Sequence, residues 1–166
     1  MYRNILVPLD GSELAECVFP HVEAIAAGFQ AERVTLIRAI EPSELLSSHF
    51  VLPEAALAPT SVVGEFAKAR KRAESEGEAA AKRYLQQLAS RLTCDKAKLR
   101  TTVVVGKAAE TIADYATNNG IDLIVLATHG RSGVSRWILG STADRILRSA
   151  CVPVLMVRAP GCIPGI

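Results

Sequence analysis

A chain of 166 residues, 49% apolar and 22% charged, has the length and composition of one globular domain with a substantial core. Its net charge of +2 is too small to mark a nucleic-acid-binding surface by itself. Cys17, Cys94, Cys151 and Cys162 form no CxxC pair, which argues against a zinc ribbon or a disulfide-stapled secreted scaffold and for free thiols in a reducing cytosol.

The first apolar run, "NILVPL" at 4–9, predicts a strand. It is too short for a signal peptide, and Asp10 ends it. Residues 12–29 predict a helix with Ser12 as its N-cap, kinked or weakened by Pro20. "VTLIRAI" (34–40) is a second strand. Residues 41–63 carry three prolines and little periodicity, which predicts a long irregular loop, either functional or a poorly ordered insertion. A long helix is expected over about 64–92, with Leu85, Leu88 and Leu92 on one face. Its basic cluster, Lys68, Arg70, Lys71 and Arg72, reads first as a solvated face because acidic residues follow within a turn or two. Then come a strand at 99–105, a helix over 108–118 ended by Gly120, a strand at 121–128, a helix near 141–150 and a strand, "VPVLMV", at 152–157. No stretch approaches the roughly 20 apolar residues of a membrane span.

Strands that are apolar on consecutive positions and alternate with helices predict an open, doubly wound α/β fold. We expect a five-stranded parallel sheet of order 3-2-1-4-5, Rossmann-like, with helices on both faces. One domain would fill 1–158, followed by a flexible tail at 159–166. Ligands of such sheets bind beyond the carboxyl ends of the strands, where the strand order reverses. That crevice lies between strands one and four. It is met by Asp10, Gly11 and Ser12 from one side and by "ATHGRSGVSRWILGST" (127–142) from the other.

Gly130, Gly133 and Gly140 allow close backbone approach, and Gly140, Ser141 and Thr142 lead into a helix N-terminus with unsatisfied donors. A phosphate site there is physically reasonable. The same spacing serves equally for a capped helix after a glycine-rich turn, with Ser141 and Asp144 as its capping box. Arg131 and Arg136 stay unassigned, and His129 reads first as a hydrogen-bonded loop residue. The sequence has no P-loop, no G-x-G-x-x-G after the first strand, no G-x-S-x-G elbow and no cluster with metal-ligand spacing.

From "NILVPLDGSELA" through "DLIVLATHGRSGVSRWILGSTADRILRSACVPVLMVR" the chain resembles the universal stress protein family, and its ATP-binding branch in particular. That branch carries G-x2-G-x9-G-[ST], matched here by Ala127, Gly130, Gly140 and Ser141, with alanine in place of the first glycine. The resemblance implies an adenine nucleotide, ATP or AMP, and allows Mg2+ beside ATP. It implies that Pro8, Asp10 and Ala39 meet the adenine, with Asp10 bonding to the base, and that Leu126 and Ala127 border the nucleoside. Gly130, Gly140, Ser141 and Thr142 would take ribose and phosphates. It also implies a homodimer through the last strand, 152–157, and a regulatory role in stress response. The cysteine usage, small net charge and short apolar runs predict a cytoplasmic protein with no nucleic-acid or membrane partner. Two other readings stay open: a slow ATPase or nucleotidyl transferase in the same pocket, and a nucleotide-independent dimer that captures partners through 41–63.

Overall fold

Strand β1 (Asn4–Pro8) is followed by a 3-10 helix (Glu13–Val18), α1 (Phe19–Phe29) and β2 (Arg33–Ile40). The long α2 (Thr60–Arg91), β3 (Lys98–Val105), α3 (Ala108–Asn118), β4 (Leu123–Ala127), α4 (Ser141–Ser149) and β5 (Val154–Val157) complete the order. The computed structural model describes residues 1–41, 60–94, 96–128 and 141–158. All strand pairings are parallel, in the order β3-β2-β1-β4-β5, as the alternation of strands and helices predicts.

Runs of consecutive apolar residues make sense here because side chains alternate across a sheet covered on both faces. One face takes Ile5, Val7, Val34, Leu36 and Val125, packed with Val22 and Ala26 of α1 and Leu85 and Leu88 of α2. The other takes Leu6, Ile37, Ile124 and Leu126, packed with Ile112 and Ala116 of α3 and Ala143 and Ile146 of α4. The helices before and after the β3 edge therefore lie on opposite faces, and the order reverses between β1 and β4.

At the amino edge, Arg3 N–H and Asn4 N–H donate to the two carboxylate oxygens of Asp122, at 2.8 and 3.1 Å. Asp122 N–H returns a bond to Asn4 C=O at 3.0 Å. This clasp joins the start of β1 to the start of β4 and holds their register. At the end of α3, Gly120 takes a φ of +60°, and Ile121 N–H donates back to Ala116 C=O at 3.1 Å. That is a Schellman closure, and it is why Gly120 ends the helix.

Several boundaries differ from the sequence expectation. Residues 12–29 are not one kinked helix. Ser12 Oγ does accept from Ala15 N–H at 3.2 Å, but the turn it caps is the 3-10 helix, and α1 starts at Phe19 with Pro20 in its first turn. A first-turn amide has no intrahelical partner, so proline costs little there, and the helix starts at Phe19 with Pro20 in its first turn instead of bending around it. The long helix starts at Thr60, so residues 60–63 are helical and not loop. The remainder of the proline-bearing segment, 42–59, and the tail at 159–166 lie outside the described residues. The last strand starts at Val154, because Pro153 spends its carbonyl on Ile124 N–H (3.0 Å) and has no N–H of its own. Among the described residues no helix is long and apolar enough to cross a membrane.

Leu85 is fully buried where α2 meets β1, β2 and α1, so Leu85→Ala should destabilise the fold by about 2–5 kcal/mol in urea titration. The exposed Glu78→Ala, about two turns earlier, should stay within about 0.5 kcal/mol of the parent.

Candidate functional site

The crevice begins with a missing hydrogen bond. Leu9 N–H donates to Ile37 C=O of β2 at 2.9 Å, one residue beyond the end of β1. Successive amides of a strand point to opposite neighbours. Asn4 N–H, of the same parity as position 8, is aimed at Asp122, at the start of β4. Position 8 should therefore donate towards β4, and proline has nothing to donate. The β1–β4 register runs through Ile5↔Leu123 and Leu6↔Ile124 and goes no further. The ladder between these two strands therefore stops at the point where the strand order reverses.

Asp10 stands just beyond. Ser12 N–H and Ser12 Oγ both bond to Asp10 Oδ1, at 2.9 and 2.6 Å, so one carboxylate oxygen is fixed by the turn. Among the described residues, Oδ2 takes no hydrogen bond. Gly11 between them has a φ of +88°, and a Cβ there would lie 3.0 Å from Cζ and Nη1 of Arg38. The left-handed backbone favours glycine, and a Cβ would also push the guanidinium aside by a few tenths of an ångström.

Arg38 comes from β2 and lies over the Tyr84 ring of α2, 5.5 Å from its centroid, a cation–π contact. The turn that presents Asp10 thus rests on a guanidinium that rests on an aromatic ring. The Tyr84 hydroxyl oxygen is buried and has no hydrogen-bond partner among the described residues. Burial, and then the Glu16 and Asp10 carboxylates, push its pKa up to about 12, against the pull of Arg38 and Arg91. Beside it, Arg91 Nη1 holds Glu16 Oε2 at 2.8 Å and ties the 3-10 helix to the end of α2.

The opposite wall is β4 and α4. Leu126 is buried on the α3/α4 face, where Ala143 of α4 joins the same apolar cluster. Ala39 is half-buried against that cluster, while Ala127 packs on the other face. Thr128 N–H carries the β4–β5 ladder on to Val157 C=O at 2.9 Å. Ser141 and Thr142 open α4 and are exposed. Ser141 is helical, and Asp144 Oδ2 accepts from Arg148 Nε at 2.9 Å, one turn on. The pair expected as a capping box is thus drawn the other way, since an acid four residues before a base bonds easily along a helix while a short Asp side chain reaches back poorly.

The structure therefore gathers Pro8, Asp10 and Ala39 at the carboxyl ends of β1 and β2, and Leu126 and Ala127 at that of β4, with Ser141 and Thr142 heading α4. Gly130 and Gly140, with His129, Arg131 and Arg136, lie outside the described residues. Arg38 and Tyr84 escape a reading of the sequence. Neither belongs to a short motif, and only the fold brings positions 11, 38 and 84 together. Among the described residues no group of three His, Cys, Asp or Glu side chains is placed to hold a metal ion.

A parallel sheet of order β3-β2-β1-β4-β5 with helices on both faces defines the doubly wound, Rossmann-like α/β class. The sequence profile of the universal stress protein family matches residues 1–158, and the chain belongs to that family. Universal stress protein MJ0577 of Methanocaldococcus jannaschii is 30% identical over 159 residues, spanning 95% of this chain and 96% of its own. Its solved structure superposes with a TM-score of 0.76 at 28% identity, over 95% of this chain and 96% of that one. A universal stress protein solved in complex with cAMP matches 95% of this chain and 98% of its own, at a TM-score of 0.56 and 19% identity. A family member from Arabidopsis thaliana solved with AMP bound matches 95% and 92%, at a TM-score of 0.55 and 11% identity. At such identities the last two likenesses show the fold alone.

Because Tyr84 keeps its proton to about pH 12 in the fold but only to its ordinary value of 10.0 when unfolded, it favours folding below pH 10. That contribution is lost as pH rises from about 10 to about 12. Tyr84→Phe removes an unpaired buried hydroxyl and should be at least as stable as the parent at pH 7. In alkaline melts its stability should fall less steeply between pH 10 and 12. Equal slopes for the two proteins would contradict this account of Tyr84.

Proposed function

We propose that the chain binds an adenine nucleotide, ATP or AMP, in the crevice between β1 and β4, and acts as a regulatory module of the stress response in the cytoplasm. The observation that carries this reading is Asp10, held by Ser12 at the strand-order reversal with one carboxylate oxygen turned to no other described residue. A carboxylate in that position is an acceptor for the amino group of adenine. Pro8, Ala39, Leu126 and Ala127 supply apolar contact for the base and nucleoside. The hydroxyls of Ser141 and Thr142, the N-terminal amides of α4, and Gly130 and Gly140 take the ribose and phosphates. Mg2+ accompanies the nucleotide when it is ATP. The relatives solved with cAMP and AMP support an adenine ligand for this fold. The methyl group of Ala127, where the binding pattern has glycine, adjusts this contact and does not abolish it.

The second part of the proposal is a homodimer through the last strand. β5 is an edge of the sheet with the uncharged sequence Val154–Val157, and its Leu155 is exposed. The other edge, β3, carries Lys98 and Arg100, charges that discourage pairing. An apolar edge without such protection is normally paired, and a second copy pairs it about a twofold axis.

Titration calorimetry with ATP, AMP and cAMP tests the first part. At least one should bind the parent, and Asp10→Ala should weaken it about tenfold to a hundredfold, the range of a lost hydrogen bond to a charged group. Parent protein that gives no heat with any of the three overturns the reading. For the second part, Leu155→Lys should lower the mass seen by light scattering from dimer towards monomer. A parent that is monomeric at every concentration contradicts it.

A further inference from the structure

The face of β2 that lies under α1 and α2 ends in a charge. Val34 and Leu36 pack on that side and are fully buried. Side chains alternate along a strand, so position 38 is the next one there, and it is arginine. Arg38 is half-buried, and among the described residues its guanidinium makes no hydrogen bond and no ion pair. Its close neighbours are the Tyr84 ring, 5.5 Å from Cζ to the centroid, and Gly11. A half-buried guanidinium without a carboxylate is a costly way to fill a place on a core face. An aliphatic side chain would fill it with less loss of hydration.

The geometry shows what the guanidinium supplies instead. A Cβ on Gly11 would stand 3.0 Å from Cζ, 3.0 Å from Nη1 and 3.1 Å from Nη2. Near-equal distances to all three atoms place Gly11 over the flat face of the group, since an approach to its edge would leave Cζ clearly farther than the two nitrogens. With no Cβ on one side and a planar group on the other, the turn lies close against Arg38. Lysine would carry the charge without the plane, and methionine has neither.

The supports on either side are fixed by other contacts. Leu9 N–H donates to Ile37 C=O at 2.9 Å, which ties the chain just before the turn to the residue just before Arg38. Tyr84 packs against the core cluster, next to the fully buried Leu85 and one turn after Ala81, which is buried against Ile40 and Val103. The Asp10 carboxylate, by contrast, bonds to Ser12 N–H and Oγ, both inside the same turn. Those bonds set its place within the turn and not its place on the sheet. The stack of Gly11 on Arg38 supplies the second.

We propose that Arg38 is a positioning residue for the adenine site. Stacked against Gly11 and the Tyr84 ring, it sets where the turn presents the Asp10 oxygen that Ser12 leaves open. Its effect on nucleotide affinity rests on the adenine reading above, whereas its effect on the turn does not.

Two readouts test it. Hydrogen exchange of the Ser12 amide, followed by NMR in nucleotide-free protein, reports the turn. Calorimetry with whichever of ATP, AMP and cAMP binds the parent reports the site. Arg38→Met should speed the exchange and weaken the binding, each about threefold to thirtyfold, the span of a cation–π contact. Tyr84→Leu should do the same, and Tyr84→Phe, which keeps the ring, should restore both. Arg38→Lys should resemble Arg38→Met. Arg38→Met combined with Tyr84→Leu should add little to either alone, because both break one stack. Leu92→Ala removes a buried side chain just past the far end of α2, so it should lower the melting temperature and leave both readouts at parent values. Parent exchange rates in Arg38→Met overturn the proposal whether or not nucleotide binds. Variants that loosen the turn yet bind nucleotide like the parent overturn the role in affinity. A parent that binds no nucleotide, with Arg38→Met still loosening the turn, overturns the adenine reading and supports the stack.

Discussion

The withheld amide of Pro8 is the constraint on which the site depends. A central strand normally bonds to both neighbours along its length, and β1 does so with β2 as far as Leu9. On the β4 side the ladder stops after Leu6 and Ile124. The Asp122 clasp holds the same two strands together at the amino edge. Closed at one end and released at the other, β1 and β4 frame a crevice at the one place where crossover helices change face. A residue with an N–H at position 8 could extend the ladder and narrow that gap.

Around this frame the packing is divided by function. The apolar alternation of β1, β2 and β4 sends one set of side chains to α1 and α2 and the other to α3 and α4, and both layers are continuous up to the site. Ala143 and Leu126 share a cluster, so the start of α4 is anchored beside the end of β4. The Asp10 turn is supported differently, through Gly11 on Arg38 on Tyr84. A polar prop fits there because Arg38 sits near the carboxyl end of β2, where the core gives way to the crevice.

Much of this was legible in the sequence. Consecutive apolar runs separated by helical segments lead directly to the sheet order, which sets the exits of β1 and β4 on either side of the strand-order reversal. Ser12 and Gly120 did the local work their residue types suggest, although Ser12 caps a 3-10 turn. What the sequence hid was of two kinds. Boundaries set by competition between local options, such as the start of α1 at Phe19 or of β5 at Val154, depend on where each proline finds its missing donor harmless. Contacts set by the fold, above all Arg38 beneath Gly11 and over Tyr84, have no signature at all, because positions 11, 38 and 84 belong to different elements.

The central claim is that this crevice holds an adenine nucleotide through Asp10. Its most direct test is to purify the protein without added nucleotide, denature it, and identify what is released by chromatography and mass spectrometry. The account predicts ATP or AMP from the parent chain and a clearly reduced amount from Asp10→Ala. A parent that releases no nucleotide and takes none up when incubated with ATP or AMP, or that releases a guanine nucleotide instead, would contradict it.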